Sequence, residues 1–314
     1  MKFYILKNGM LYNIMERNEY LDICKGMGIV FVVLGHIVTI PYFHELVYGF
    51  HMPLFFMLSG MCLHLKKDFK TFFVKRVKSL LLPFFYFSFL EILFLIIVKR
   101  NFSISFVYPE IGHVLWFLPV LFLSLLLAYA GLKCLKLWVL PFLVVLNILN
   151  FKNLPYSLSV IPVSATFIVG GYMFDKISTF IKNKVGHKLV LLFLMISYIW
   201  MVLIFDVSID MKKSIFSPFP WAMIASSLGF ISIFSMSYSV RESIFKQLWI
   251  WLGRNSLTIM LTHFFYIEII GYILSKLCLS ANFCMVLLSV FVWPYLVAVV
   301  WFINKYSPWL VSKR

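Results

Sequence analysis

The chain has 314 residues, of which 62% are hydrophobic and 13% are charged, and its formal net charge at pH 7 is +16. This composition leaves too few polar side chains for a water-facing surface, so it excludes a soluble globular protein and indicates that lipid is the main solvent. The basic residues stand in short loops between apolar runs, which is typical of membrane topology and excludes a basic stripe that binds nucleic acid.

Hydrophobic runs of about 20 residues predict ten transmembrane helices. In chain order they lie near 22–41, 46–64, 80–98, 114–131, 135–150, 158–174, 187–206, 219–238, 256–279 and 283–303. The fifth run is short and is followed by Lys152 and Pro155, so a re-entrant segment is an alternative there. We therefore expect an all-α, polytopic membrane bundle that forms one domain over 1–314, with a short cytoplasmic segment at 1–21.

Lys and Arg are unequally divided between the two sets of alternating loops. The set that includes both termini carries 21 of these residues, whereas the other set carries 5. Because short cytoplasmic loops are enriched in Lys and Arg, this asymmetry predicts that the N- and C-termini are both cytoplasmic.

The first predicted helix carries two ionisable residues on one face. Lys25 and His36 are eleven residues apart, which is about three helical turns and about 16 Å along the axis. An ionisable side chain at membrane depth is costly unless it faces protein or water, so both residues mark a candidate site. The alternatives are a neutral His36 that only packs against a neighbouring helix, and a Lys25 that reaches the interface and pairs with Asp22.

Five segments, in this order along the chain, resemble the acyltransferase 3 family of membrane acyltransferases, in particular its polysaccharide O-acetylase branch, which is fucose 4-O-acetylase-like. They are LDICKGMGIVFVVLGH at 21–36, FHMPLFFMLSG at 50–60, KRVKSLLLPFF at 75–85, HVLWFLPVLF at 113–122 and GRNSLTIMLTHFF at 253–265. In the arginine and histidine signature of that family, His36 matches the histidine and Lys25 replaces the arginine, which keeps the charge but loses the bidentate guanidinium. Lys75 and Lys78 stand where the family has two arginines three residues apart.

The resemblance implies a membrane O-acyltransferase in the bacterial cytoplasmic (inner) membrane. Such an enzyme moves an acyl group, most often acetyl from cytoplasmic acetyl-CoA, to a hydroxyl of a cell-surface polysaccharide or of its lipid-linked precursor. The acyl-CoA donor, the glycan acceptor and membrane lipid are the expected partners, and neither nucleic acid nor a metal ion is expected. The acceptor sugar, the choice between acetyl and a larger group such as succinyl, and the oligomeric state stay open.

Transfer from a CoA thioester needs an anion site for the CoA phosphates, a base for the acceptor hydroxyl, and donors for the tetrahedral oxyanion. For the anion site we predict five basic residues on the cytoplasmic side: Lys25, Lys75, Arg76, Lys78 and Arg254. Basic loops that only contact anionic lipid are the alternative.

Three residues are predicted to be catalytic. His36 is the candidate general base, or the transient carrier of the acyl group, because a neutral imidazole accepts a hydroxyl proton near physiological pH. His51 opens the second predicted helix and is expected to orient His36 or to meet the acceptor. Glu91, in the third predicted helix, is expected to partner a histidine.

The acceptor site is predicted from three further residues. His113 and Trp116 form a candidate wall for a sugar, since an aromatic face suits a pyranose ring and an imidazole suits its hydroxyls. His263 is a further ionisable group at membrane depth and a candidate substrate contact.

Two other classes of protein compete with the acyltransferase. In a transporter or flippase of glycan precursors, the same His, Glu and Lys residues form a proton relay, but the chain shows no internal repeat of the kind common in transporters. In a non-catalytic subunit that anchors a glycan synthase, neither Lys25 nor His36 affects acylation. The chain contains no GxxxxGK[ST], HExxH or GxSxG motif, so nucleotide hydrolysis, zinc proteolysis and a serine nucleophile have no support.

Overall fold

The computed structural model describes residues 8–66, 68–99, 114–148, 158–185, 188–277 and 279–311. Within these ranges the chain forms thirteen α-helices and one antiparallel two-stranded sheet. In chain order they are α1 (Asn8–Ile37), α2 (Pro41–Tyr48), α3 (His51–Met61), α4 (Phe69–Arg76), α5 (Leu82–Lys99), α6 (Phe117–Cys134), α7 (Val139–Ile148), α8 (Ile161–Val185), α9 (Lys188–Ile204), β1 (Ser208–Asp210), β2 (Ile215–Ser217), α10 (Trp221–Val240), α11 (Lys246–Arg254), α12 (Ser256–Ser275) and α13 (Ala281–Tyr306).

In the described part of the chain, seven helical stretches are long and apolar enough to cross a membrane. They are Glu19–Ile37, Phe69–Phe94, Phe117–Cys134, Leu158–Ile177, Trp221–Val240, Ser256–Ser275 and Ala281–Tyr306. These stretches confirm the prediction of an all-α membrane protein.

The other three predicted spans coincide with shorter helices. The second contains α3, of 11 residues, the fifth contains α7, of 10 residues, and the seventh contains α9, of 17 residues. Because a helix of about 20 residues is needed to cross the hydrocarbon layer, length alone supports seven crossings, and the count of ten stays a prediction.

The α1 helix lies at the centre of the bundle. Its span from Glu19 to Ile37 is 67% buried within the protein, whereas Ala281–Tyr306 is only 17% buried and presents most of its apolar surface outward. Helices α3, α10, α11 and α12 all pack against α1. The predicted site helix is therefore the element that the others surround.

A π-helical turn at Val77–Leu81 joins α4 to α5 in one continuous span. Pro83 has no backbone N–H to donate to the carbonyl of Ser79, so the regular ladder is interrupted there. The N–H of Leu82 instead donates to the carbonyl of Val77, five residues earlier. The proline thus gives a physical reason for the wider turn, which lies beside the basic residues of α4.

Helices α3 and α8 cross in close contact at two glycines. A Cβ atom on Gly60 would lie 1.9 Å from the carbonyl oxygen of Ile168, and one on Gly171 would lie 2.0 Å from that of Met57. Only residues without a side chain permit this approach, which is a common packing device between membrane helices. The crossing anchors α3, whose first residue is His51.

Candidate active site

A cavity of about 220 Å³ lies where the C-terminal end of α1 meets the start of α3. Its wall also includes the chain just before α6 and the turn of the β hairpin. The lining residues are Val32, His36, His44, Tyr48, His51, Met52, Val114, Trp116, Phe117, Asp210, Met211, Lys212, Lys213 and Met260. The structure therefore brings together three of the residues predicted from sequence, namely His36, His51 and Trp116.

His36 lies in the last turn of α1 and is half-buried. Its imidazole ring lies 5.3 Å from that of His263 on α12 and 6.2 Å from the phenol ring of Tyr48, measured between ring centroids. His263 is fully buried and is absent from the cavity wall, whereas Met260, one turn earlier on α12, belongs to it. His263 thus stands beside His36 and outside the cavity wall, and its role as a substrate contact stays a prediction.

The protonation pattern of His51 follows from one backbone contact. His51 is only 3% exposed, and its Nδ1 lies 2.9 Å from the carbonyl oxygen of Val47. Because a carbonyl oxygen only accepts hydrogen bonds, Nδ1 carries the proton, and Nε2 of the neutral ring keeps its lone pair. The same reasoning applies to His263, whose Nδ1 lies 3.1 Å from the carbonyl oxygen of Ile259.

Two cavity residues on α2, His44 and Tyr48, were not expected at the site. Their rings stack with centroids 3.8 Å apart, and the ring of Tyr48 meets that of His51 edge to face at 4.7 Å. In the sequence, His44 lies between the first two predicted spans, which end at 41 and begin at 46. The sequence signal for α2 is Pro41, because proline is favoured at the first position of a helix. In a helix that begins there, His44 and Tyr48 are four residues apart and share one face.

The β hairpin brings Asp210, Lys212 and Lys213 to the cavity. Asp210 accepts a hydrogen bond from the backbone N–H of Lys213 at 3.2 Å, and its other oxygen lies 3.1 Å from the Nζ of the same lysine. Burial lowers the pKa of Lys212, and the charges of Asp210 and Glu91 oppose that shift. Ser214 takes a φ of 57°, a value usual for Gly or Asn, so the segment gave no hairpin signal in sequence.

Glu91 lies on α5 and is only 3% exposed. It borders a separate small void that shares Val114 with the cavity. The charge of Glu91 acts on the ammonium of Lys212, and the histidine partner of Glu91 stays a prediction.

A cluster of charges lies at the other end of the α1 span. The carboxylate of Asp22 lies 3.7 Å from Lys25 Nζ and 3.1 Å from Arg254 Nε. This contact depends on close packing of α1 and α11, because a Cβ atom on Gly253 would lie 1.8 Å from the carbonyl oxygen of Asp22. Two of the predicted donor-binding residues, Lys25 and Arg254, therefore share one carboxylate, and Lys25 is not part of the cavity wall.

The other three predicted donor-binding residues lie on α4 and the π turn. Lys75 and Lys78 are exposed, and Arg76 is half-buried with its guanidinium 5.3 Å from the centre of the Phe72 ring. Phe72 in turn stacks on Tyr129 of α6 at 4.4 Å. This basic group is thus fixed to α6 by aromatic packing. The remaining predicted site residue, His113, lies outside the described residues.

Comparison with known proteins identifies one family. A family model described as an acyltransferase domain, of the acyltransferase 3 type, matches residues 18–303. No curated protein and no solved structure matches the chain. The match spans both the cavity and the cluster around Asp22.

Proposed function

Since the chain belongs to the acyltransferase 3 family of membrane acyltransferases, we propose that it transfers an acetyl group from cytoplasmic acetyl-CoA to a glycan hydroxyl. The acceptor is a cell-surface polysaccharide or its lipid-linked precursor, as in the O-acetylase branch that the sequence resembles. The observation that carries this proposal is the cavity that His36 shares with His51, Tyr48, Trp116 and Asp210.

The lining of the cavity suits acyl transfer to a hydroxyl. His36 takes the proton of the acceptor hydroxyl while that oxygen bonds to the thioester carbonyl carbon. The Tyr48 hydroxyl and the Lys212 ammonium are the donors available to the oxyanion that forms. When the carbon–sulfur bond breaks, the imidazolium of His36 returns the proton to the CoA sulfur, so the base is regenerated.

The neighbouring imidazoles have supporting roles in this scheme. His51 presents Nε2 as an acceptor, which orients either the incoming hydroxyl or His36. His263 stands 5.3 Å from His36 and holds its ring in place from outside the cavity, so we assign it a positioning role. Trp116 offers an aromatic face to the sugar ring.

The donor phosphates are assigned to the opposite end of α1. Lys25 and Arg254 supply positive charge there, and Lys75, Arg76 and Lys78 are further candidates for the same anion. The axial distance of about 16 Å between Lys25 and His36 is one that the extended pantetheine arm of CoA can bridge. We infer a bacterial inner membrane, ten spans and two cytoplasmic termini. In that topology the cluster around Asp22 lies on the cytoplasmic side, where the donor is, and the cavity lies on the outer side, where the glycan is.

Replacing His36 by alanine tests the proposal. We expect acetyl transfer by the purified, membrane-reconstituted protein to fall by roughly 10²–10⁴-fold, because proton transfer in the transition state is lost. The measurement is transfer of labelled acetyl from acetyl-CoA to surface glycan prepared from cells that lack this protein. His64→Ala is the matched control, since His64 is exposed and lies in the loop after α3.

Acetylation by His36→Ala at the level of the His64→Ala control would contradict the assignment of His36. A wild-type protein that consumes no acetyl-CoA in the presence of glycan would contradict the proposed reaction itself. Acetyl found on His36 after rapid acid quenching would show that the transfer passes through a covalent intermediate.

A further inference from the structure

A second cavity, a polar cleft of about 610 Å³, lies next to the histidine-lined cavity. We propose that this cleft is a second binding site, which holds the sugar units adjacent to the one that is acylated, so that the protein recognises two or more linked units and not a single ring. The inference rests on the proposed function and adds to it the site that binds the neighbouring sugar units.

The sizes of the two cavities favour this division. The histidine-lined cavity, at about 220 Å³, is smaller than the roughly 300–1,000 Å³ that sites for whole small molecules occupy. The polar cleft falls inside that range. A glycan that places one hydroxyl-bearing ring at His36 has room for its neighbouring units in the cleft.

The cleft and the cavity meet at the hairpin. Lys213 lines both, and the residues before it, from Asp210, face the cavity while those after it, to Ser217, face the cleft. The hairpin is held in this position because Ile209 and Met211 are buried, and because the Ser214 hydroxyl is hydrogen-bonded to that of Ser159. A chain of linked sugars can thus pass along the hairpin from one site to the other.

The chemistry of the cleft suits an uncharged carbohydrate. Its wall contains three serine hydroxyls, one carboxamide and two phenylalanine rings, supplied by Ser159, Ser214, Ser217, Asn147, Phe216 and Phe219. Hydroxyl and amide groups match the sugar hydroxyls, and aromatic faces match the apolar faces of the rings. Among the described residues of this wall, the charged group is the Lys213 ammonium, which lies 3.1 Å from the Asp210 carboxylate.

Asn147 supplies a more specific observation. Its Nδ2 donates to Thr166 Oγ1 at 3.1 Å, and that hydroxyl donates its own proton to the carbonyl oxygen of Pro162 at 2.9 Å. Thr166 can therefore only accept from Asn147, which fixes the orientation of the carboxamide. Its Oδ1 is buried, and none of the described residues donates to it. Asn147 lines the cleft, so a ligand hydroxyl that reaches this carbonyl would supply the donor that it lacks among the described residues.

The test compares acceptors of different length. Surface polysaccharide from cells that lack this protein is partly hydrolysed and separated by size, and complete hydrolysis gives its monosaccharides. With the full chain in lipid nanodiscs and labelled acetyl-CoA, we expect kcat/KM to be at least about tenfold higher for fragments of two or more units, which corresponds to about 1.4 kcal/mol.

Two variants assign this preference to the cleft. Asn147→Leu removes the carbonyl at nearly constant size and should reduce the ratio of kcat/KM between fragments and monosaccharides several-fold. Val145→Leu, at an exposed position of the same helix outside the cleft wall, is the control and should leave the ratio unchanged. An equal fall in both variants would show a structural role for Asn147 and would overturn the assignment.

Binding without the acetyl donor separates this inference from the proposed function. Saturation-transfer NMR of the size-separated fragments should show binding to wild type and weaker binding to Asn147→Leu. That result without any acetyl transfer would contradict the reaction but keep the cleft as a glycan site. Acetyl transfer with equal kcat/KM for monosaccharides and fragments would keep the reaction and contradict the cleft.

Discussion

At the scale of single residues, backbone carbonyls decide which nitrogen of a histidine is basic. Val47 and Ile259, each four residues earlier in the chain, accept from Nδ1 of His51 and His263. In both neutral rings Nε2 is therefore the nitrogen with the lone pair, so each histidine can accept a proton only at Nε2. The sequence shows the residue types but not this choice.

His51→Asn tests that reading of His51. The asparagine Nδ2 reaches the position of the imidazole Nδ1 and can keep the bond to Val47, whereas Nε2 is lost. We therefore expect kcat to fall on the order of 10²-fold while the midpoint of thermal unfolding stays close to that of wild type. The comparison variant is His64→Asn, at an exposed position. Wild-type kcat in His51→Asn would exclude a role for Nε2.

At the scale of secondary-structure elements, two helix crossings explain glycines in the sequence motifs. Gly60, in the motif at 50–60, permits the contact of α3 with α8, and Gly253, in the motif at 253–265, permits the contact of α11 with α1. The first crossing anchors the helix that begins with His51, and the second brings Arg254 to Asp22. Both glycines therefore act on the site through packing.

Gly60→Ala tests the α3–α8 crossing. The added methyl group would lie 1.9 Å from the Ile168 carbonyl oxygen, so the helices must move apart. We expect a loss of about 1–3 kcal/mol in the free energy of unfolding, measured by denaturation in detergent micelles. Gly271→Ala on α12 is the control, because nothing lies within 4 Å of its added Cβ atom. Equal stability of the two variants would argue against tight packing at Gly60.

At the scale of the whole molecule, the candidate chemistry is divided between two ends of one central helix. The cavity with His36 lies beside the hairpin after α9, and the cluster around Asp22 lies beside α11. The loop charges predict that the hairpin is outside and the start of α11 is inside. In the proposed function, a donor from the cytoplasm and an acceptor from the cell surface then approach α1 from opposite sides.

Cysteine labelling tests this orientation. In a background with Cys278 and Cys284 changed to serine, we expect a membrane-impermeant maleimide to label Lys213→Cys in cells whose outer membrane is permeabilised. Glu242→Cys, at an exposed position, should react only after the inner membrane is disrupted, as should the exposed native Cys134. Labelling of both introduced cysteines from one side would contradict the predicted topology.

Much of the architecture follows from local properties of the chain. Hydrophobic length predicted the membrane bundle, and the resemblance of five ordered segments predicted the family. Helix length, however, supports seven crossings in the described part of the chain, since α3, α7 and α9 are shorter than the runs that predicted them. An apolar run limits where a helix can lie. It does not show at which residue the helix ends, because that depends on single residues such as Gly49, which follows α2, and on tertiary contacts.

The sequence by itself determined that this is a membrane protein and which family it belongs to, because these depend on composition and residue order. It also predicted His36 as a site residue, from the cost of an ionisable group in lipid. Only the tertiary structure decided that Tyr48 and Asp210 join His36 and His51, that His263 stands beside His36, and that a polar cleft continues from the cavity. The physical reason is distance along the chain. These residues come from five separate elements, and their meeting depends on packing between helices and on a hairpin turn that no local pattern encodes.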